Sequence, residues 1–126
     1  MTAKLLLPSA LIMAAALAAQ PALAADPAPN GQTLFTQRCQ ACHSVTPGQR
    51  GVLAPNLSGV VGRKAATVPQ FNYSPALKAS NVTWNRANLD RFLQAPMRMV
   101  PGTRMVIAVP DAQQRAAILN FLTTRR

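Results

Sequence analysis

The only two cysteines and the only histidine of this 126-residue chain stand together as Cys39-Gln40-Ala41-Cys42-His43. That clustering limits what the chain can be. Two cysteines cannot build the disulfide framework of a small secreted scaffold. One histidine cannot supply a two-histidine metal centre. Glutamate is absent and the only acids are Asp26, Asp90 and Asp111, so paired-carboxylate catalysis has no residues to draw on. Most hydrolase and metalloenzyme chemistries fall away on those counts. The chain is 49% hydrophobic, ordinary for one globular domain, but only 5% aromatic. A core so poor in aromatics points to help from something other than protein.

Residues 1–24 read as a signal peptide. Lys4 gives a positive start and Leu5 to Leu17 is almost continuously apolar. Ala22-Leu23-Ala24 then forms a small-x-small cleavage site before Ala25. The apolar run is too short and alanine-rich for a membrane span; retention as an uncleaved anchor is the minor alternative. Removal costs one of the 13 basic residues, Lys4. Export makes the periplasm the expected location. Residues 25–29 are a short leader, and 30–126 are expected to form a single domain.

Within that domain, Asn30 can cap a first helix running towards Cys39, with Gly31, Phe35 and Cys39 on one face. Residues 44–63 lack helical period and carry Pro47, Gly48, Gly51, Pro55, Gly59 and Gly62. So long an ordered loop in a small domain needs something to wrap. Ser74-Pro75 reads as the cap and first position of a short helix ending near Ala79. Asn85 can cap a third helix with Leu89, Phe92 and Leu93 inward, and Pro96 is expected to stop it. Asp111 can cap a last helix with Ile118, Leu119 and Phe121 or Leu122 inward. No segment reads convincingly as a strand. The expectation is all-α: three or four helices joined by long loops.

Cys39 to His43 is C-x-x-C-H, the attachment signature of c-type haem. Two thiols at that spacing can add to the two vinyl groups of one haem edge, and the next residue then supplies an imidazole to the iron. A Cys39–Cys42 redox disulfide would leave His43 incidental. A zinc site would lack its fourth ligand. The signal peptide, the long loop and the aromatic-poor core favour haem c. The sixth iron ligand follows partly by elimination. No second histidine exists, and the methionines of the exported part are Met97, Met99 and Met105. A thioether is soft and neutral, and it raises the potential. The Pro101-Gly102 turn favours Met105, with Met99 as competitor.

With these motifs in place, the chain resembles a class I cytochrome c of the small mitochondrial-like type. The resemblance rests on C-x-x-C-H followed in order by Ala54-Pro55-Asn56-Leu57, Gly62-Arg63-Lys64, Phe71-Asn72-Tyr73-Ser74, Trp84 and Pro101-Gly102-Thr103-Arg104-Met105. It covers residues 30–122. It implies the compact class I fold around one covalently attached haem, held by Cys39 and Cys42 and ligated axially by His43 and Met105. It implies that the Pro55 carbonyl orients the His43 ring, and that Arg63, Tyr73 and Trp84 meet the inner haem propionate. It also implies that Gly31 and Phe35 cross Ile118 and Phe121. Departures from the family pattern are Ala54 for Gly, Phe92 for Tyr, Leu77 for Asn and a shorter segment after Met105. They imply a drier distal side.

By the same resemblance, Arg38, Arg50, Arg98 and Arg104 ring the exposed haem edge. Such a ring would steer an acidic redox partner to it: a dehydrogenase, the cytochrome bc1 complex or a terminal oxidase. Nucleic acid is not the expected partner of an exported protein, whereas peripheral contact with anionic lipid is compatible with its basic charge. The chain is expected to be monomeric. The functional expectation is a periplasmic electron carrier, not an enzyme, whose iron cycles between Fe(III) and Fe(II). The alternative is the dedicated cytochrome subunit of a periplasmic dehydrogenase.

Overall fold

The computed structural model describes residues 26–126. The expected signal peptide therefore lies outside the described residues. Each of the four expected helices begins at a polar residue whose side chain accepts a backbone N–H two or three positions into the first turn. Asn30 accepts from Thr33 and opens α1, Gly31–Arg38. Ser74 accepts from Leu77 and opens α2, Pro75–Ala79, with proline in the first turn where its missing N–H costs nothing. Asn85 accepts from Asn88 and opens α3, Arg86–Gln94.

Pro96 does not simply stop the chain's helical course. The backbone bends at Ala95 (φ −157°, ψ 81°), and Pro96 then opens one more turn, α4, Pro96–Met99. Proline blocks a helix interior but suits its first position, so the same residue ends α3 and starts α4. Asp111 accepts from Gln114 and opens the last helix, α5, Ala112–Thr123. Among the described residues there are thus five helical segments, one more than the upper expectation. Among the described residues there is no strand, only an isolated antiparallel bridge between Lys64 and Thr83.

Helix α5 packs on both α1 and α3, and α4 packs on α3. Where α1 meets α5, Gly31 lies directly against the Ala117 carbonyl, and the Phe35 and Phe121 rings sit 5.3 Å apart. The buried faces supply Leu34 and Phe35 from α1, Leu89, Phe92 and Leu93 from α3, and Ile118, Leu119 and Leu122 from α5.

The long loop folds back on the cysteine motif. The Leu53 and Ala54 N–H groups both donate to the Cys42 carbonyl, at 3.2 and 3.1 Å, and Leu57 N–H donates to Ser44 at 2.8 Å. The Asn56 side chain reaches across the loop to the carbonyls of Thr46 and Gln49. Gly51 is required here: a Cβ would stand 2.2 Å from the Ala54 carbonyl oxygen and 2.6 Å from that of Cys42. These bonds place Pro55 beside His43.

Candidate functional site

The motif forms a tight turn off the end of α1. Cys39 N–H donates to Phe35, and His43 N–H closes the turn on the Cys39 carbonyl at 2.9 Å. Both thiols are free and half-buried. Burial pushes the Cys39 thiol up to about 11, against the lowering influence of the Arg38 charge. Among the described residues, no group of three or more His, Cys, Asp or Glu side chains is placed to hold a metal ion directly.

The His43 ring is fixed by one bond. Its Nδ1 donates to the Pro55 carbonyl at 2.7 Å. A carbonyl can only accept, so the proton is on Nδ1 and Nε2 keeps a free lone pair. Burial lowers the imidazole pKa below its ordinary value, with the Pro55 bond opposing.

Cys39, Cys42 and His43 line a cavity of about 590 Å³ whose walls are mainly apolar. Met105 lines the same cavity, and Met97 and Met99 do not. Met97 is exposed and Met99 is packed against the helical core. The structure thus separates Met105 from Met99, the competitor that elimination and turn chemistry left open. Ala54, Leu77 and Phe92, the positions of the apolar departures, are all in the wall.

Pro55, Arg63, Tyr73 and Trp84 also line the cavity. The Arg63 guanidinium is held by the carbonyls of Ser58 and Asn56, each at 2.9 Å. Burial lowers its pKa, opposed by Tyr73. Burial also raises the Tyr73 phenol above its ordinary value, although its oxygen accepts from Val68 N–H at 3.2 Å. Trp84 leans on Phe92, ring centres 4.9 Å apart. A half-buried guanidinium whose partners are neutral carbonyls is a ready counter-charge for a carboxylate.

The four arginines expected around the opening divide. Arg38 and Arg104 line the cavity, and Arg104 is tied to the Asn72 carbonyl at 2.6 Å. Arg50 instead pairs with Gln70 and lines a separate cleft, and Arg98 is exposed on α4. Neither lines the cavity, because Arg50 follows the fold-back loop and Arg98 the unexpected turn of α4. Leu53, Val106 and Ile107 line the cavity while remaining largely exposed.

One buried charge was not anticipated. Arg115 is 6% exposed, and its Nε pairs with Asp90 at 2.8 Å. The signal was present: Arg115, Ile118, Leu119 and Leu122 share one face at helical spacing.

The cytochrome c family model matches residues 28–126. The chain is 43% identical over 96 residues to cytochrome c2 of Rhodomicrobium vannielii, covering 75% of this chain and 76% of that protein. This chain belongs to the cytochrome c family. It is 40% identical over 98 residues to cytochrome c2 iso-2 of Magnetospirillum molischianum, covering 77% of this chain and 96% of that one. Among solved structures, cytochrome cH from Methylobacterium extorquens aligns with a TM-score of 0.69 at 36% identity, covering 75% of this chain and 94% of the other. The family carries one covalently bound haem c and serves electron transfer, and this protein is an electron-transfer haem c protein. The residues present fit the group: two thiols, one imidazole with a free Nε2 and one thioether line a single apolar cavity.

Proposed function

We propose that the protein is a periplasmic electron carrier in which Cys39 and Cys42 would hold the haem through thioether links, while His43 and Met105 would supply its iron ligands. The observation that carries this reading is the gathering of those four side chains on one cavity, to the exclusion of Met97 and Met99. When bound, haem c supplies a reversible one-electron couple at its iron. The Pro55 carbonyl holds the His43 ring in one orientation and one tautomer, which also makes the imidazole a better donor. The Met105 thioether, soft and uncharged, favours reduced iron. With an imidazole and a thioether both supplied by the chain, the bound group would be left no ligand position for substrate, which supports carriage over catalysis.

Arg63, braced by Ser58 and Asn56, would pair with a haem propionate, and Tyr73 and Trp84 line the same cavity. Phe92 and Leu77 bring no polar group to the wall that Met105 also lines. Arg38 and Arg104 mark the face presented to an acidic redox partner, and the exposed Leu53, Val106 and Ile107 give that face an apolar centre.

Two measurements test this. Acid–organic extraction of the denatured protein should leave the haem on the chain, and replacing Cys39 and Cys42 with Ala should release it. Met105→Ala should abolish the near-infrared sulfur-to-iron band of the oxidised protein and allow the reduced form to bind carbon monoxide. Met99→Ala should do neither. Loss of the band in Met99→Ala alone would overturn the ligand assignment.

A further inference from the structure

Met105 lies in a segment that is pinned at both ends and free in the middle. On the entry side, Thr103 N–H donates to Val100 at 3.0 Å, and Arg104 holds the Asn72 carbonyl. On the exit side, Val109 N–H donates to Leu93 of α3 at 2.8 Å. Between them, residues 105–108 make no backbone–backbone hydrogen bond among the described residues, and Val106 and Ile107 are 67% and 55% exposed. The sulfur's position therefore depends on the two anchors.

The exit anchor is held by Arg115. Its Nη1 donates to the Val109 carbonyl at 3.0 Å and the Pro110 carbonyl at 2.7 Å, while its Nε pairs with Asp90 of α3 at 2.8 Å. It is the only ion pair among the described residues. A guanidinium this deeply buried is costly unless its donors are taken up, and here they go to three acceptors on two different elements. The planar fork makes that arrangement directional, which an ammonium could not reproduce. Val109, 1% exposed, is locked from both sides, through its N–H by α3 and through its carbonyl by α5.

We propose that Arg115, oriented by Asp90, is a positioning residue for Met105: by holding the Val109 and Pro110 carbonyls it keeps the thioether on the iron and sets how often the loop lets go. This rests on Met105 being the axial ligand. Loss of one hydrogen bond to a charged group multiplies the population of a released loop by about tenfold or more. The fold need not melt for that to happen, because the α1–α5 crossing lies elsewhere.

The test uses the oxidised and reduced holoprotein of Arg115→Lys, Asp90→Asn and, as a control that trims the core without touching the clamp or the cavity wall, Leu34→Ala. The sulfur-to-iron band and far-ultraviolet circular dichroism are followed together through a thermal ramp, and carbon monoxide association is timed at 25 °C. In Arg115→Lys and Asp90→Asn the band should fade well before helix is lost, and carbon monoxide should bind about tenfold faster than in wild type. In Leu34→Ala both signals should move together. If the two clamp variants also lose band and helix in step, with unchanged carbon monoxide kinetics, Arg115 is structural only and the proposal fails. A Met105→Ala protein that keeps the band would instead overturn the ligand assignment beneath it.

Discussion

Substituting Gly31 by alanine should be among the most damaging one-methyl changes available to this fold. The added Cβ would lie 2.0 Å from the Ala117 carbonyl oxygen, 2.7 Å from its carbon and 3.0 Å from the Phe121 Cβ. Two of those atoms are α5 backbone, so no rotamer change relieves the contact. Ordinary contact begins near 3.4 Å, so the crossing must open by roughly 1.4 Å. A gap of ~0.5–1 Å already forfeits a quarter to a half of the dispersion energy of each contact across it. Those contacts join the most buried faces of α1 and α5, including Phe35 and Ile118 at 2% and 1% exposed. Overpacking of this kind costs ~1–3 kcal/mol and occasionally more, and the geometry places Gly31→Ala at about 3 kcal/mol or above. Helix propensity returns at most ~1 kcal/mol. At ~4–8 °C per kcal/mol for a domain of this size, a net loss of about 2–3 kcal/mol lowers Tm by about 10–20 °C. Denaturant and thermal unfolding of the holoprotein, followed by circular dichroism and by the haem absorption, would measure it. Gly59→Ala is the control: nothing lies within 4 Å of its Cβ, so only its φ of +66° opposes the change, at ~1–2 kcal/mol. A Gly31→Ala protein no less stable than Gly59→Ala would refute the close-approach argument.

Three further outcomes follow from other parts of the molecule. Tyr73 is the only tyrosine, so an ultraviolet difference titration reads it alone. Burial favours its neutral form, and the midpoint should lie above the ordinary 10.0. Because the folded state holds that proton more tightly, the stability it contributes is complete below the ordinary pKa and is lost as pH rises through the folded one; a midpoint at or below 10.0 in intact protein would contradict the burial. Asp111→Ala, which removes the acceptor for the Gln114 N–H, should cost about 1 kcal/mol by denaturant titration, and no loss would mean the cap is not used. Arg38→Gln and Arg104→Gln should each slow reduction by ferrocyanide severalfold at low ionic strength, more than Arg50→Gln or Arg98→Gln. Equal effects from all four would show a diffuse charge in place of a patch.

The caps were legible because they are local. Asn30, Ser74, Asn85 and Asp111 each need only a side-chain oxygen and a free N–H within the same turn. The His43–Pro55 bond spans twelve residues and was reached through the resemblance, since no local rule pairs those two positions. What escaped the sequence reading depends on three-dimensional company. Pro96 carries the same information whether it ends a helix or starts the next, and the conformation of Ala95 decides between them. Arg115 is an arginine like nine others until its place on the buried face of α5 brings it to Asp90. Arg50 and Arg98, expected around the same opening by the resemblance, sit in the fold-back loop and on α4 and do not line the cavity itself.

The scarcity of aromatic residues acquires a meaning once their pairing is seen. The chain has one Trp, one Tyr and four Phe, and they form three pairs. Phe35 and Phe121 meet where α1 crosses α5, at 5.3 Å between ring centres. Phe71 with Tyr73, at 4.7 Å, and Trp84 with Phe92, at 4.9 Å, both stand in the cavity wall. Aromatic pairs add ~0.5–1.5 kcal/mol beyond the area they bury, so each marks a place where geometry is fixed tightly. One pair fixes the helix crossing, outside the cavity wall. The other two fix the cavity, whose walls also include Leu89, Leu93, Ile118 and Leu122 from the helical core. The residues that would close a conventional core on itself here face the haem site. Stability and cofactor binding therefore draw on the same side chains, and a substitution in the wall such as Phe92→Ala must disturb both, while one confined to the Phe35–Phe121 pair acts on stability first.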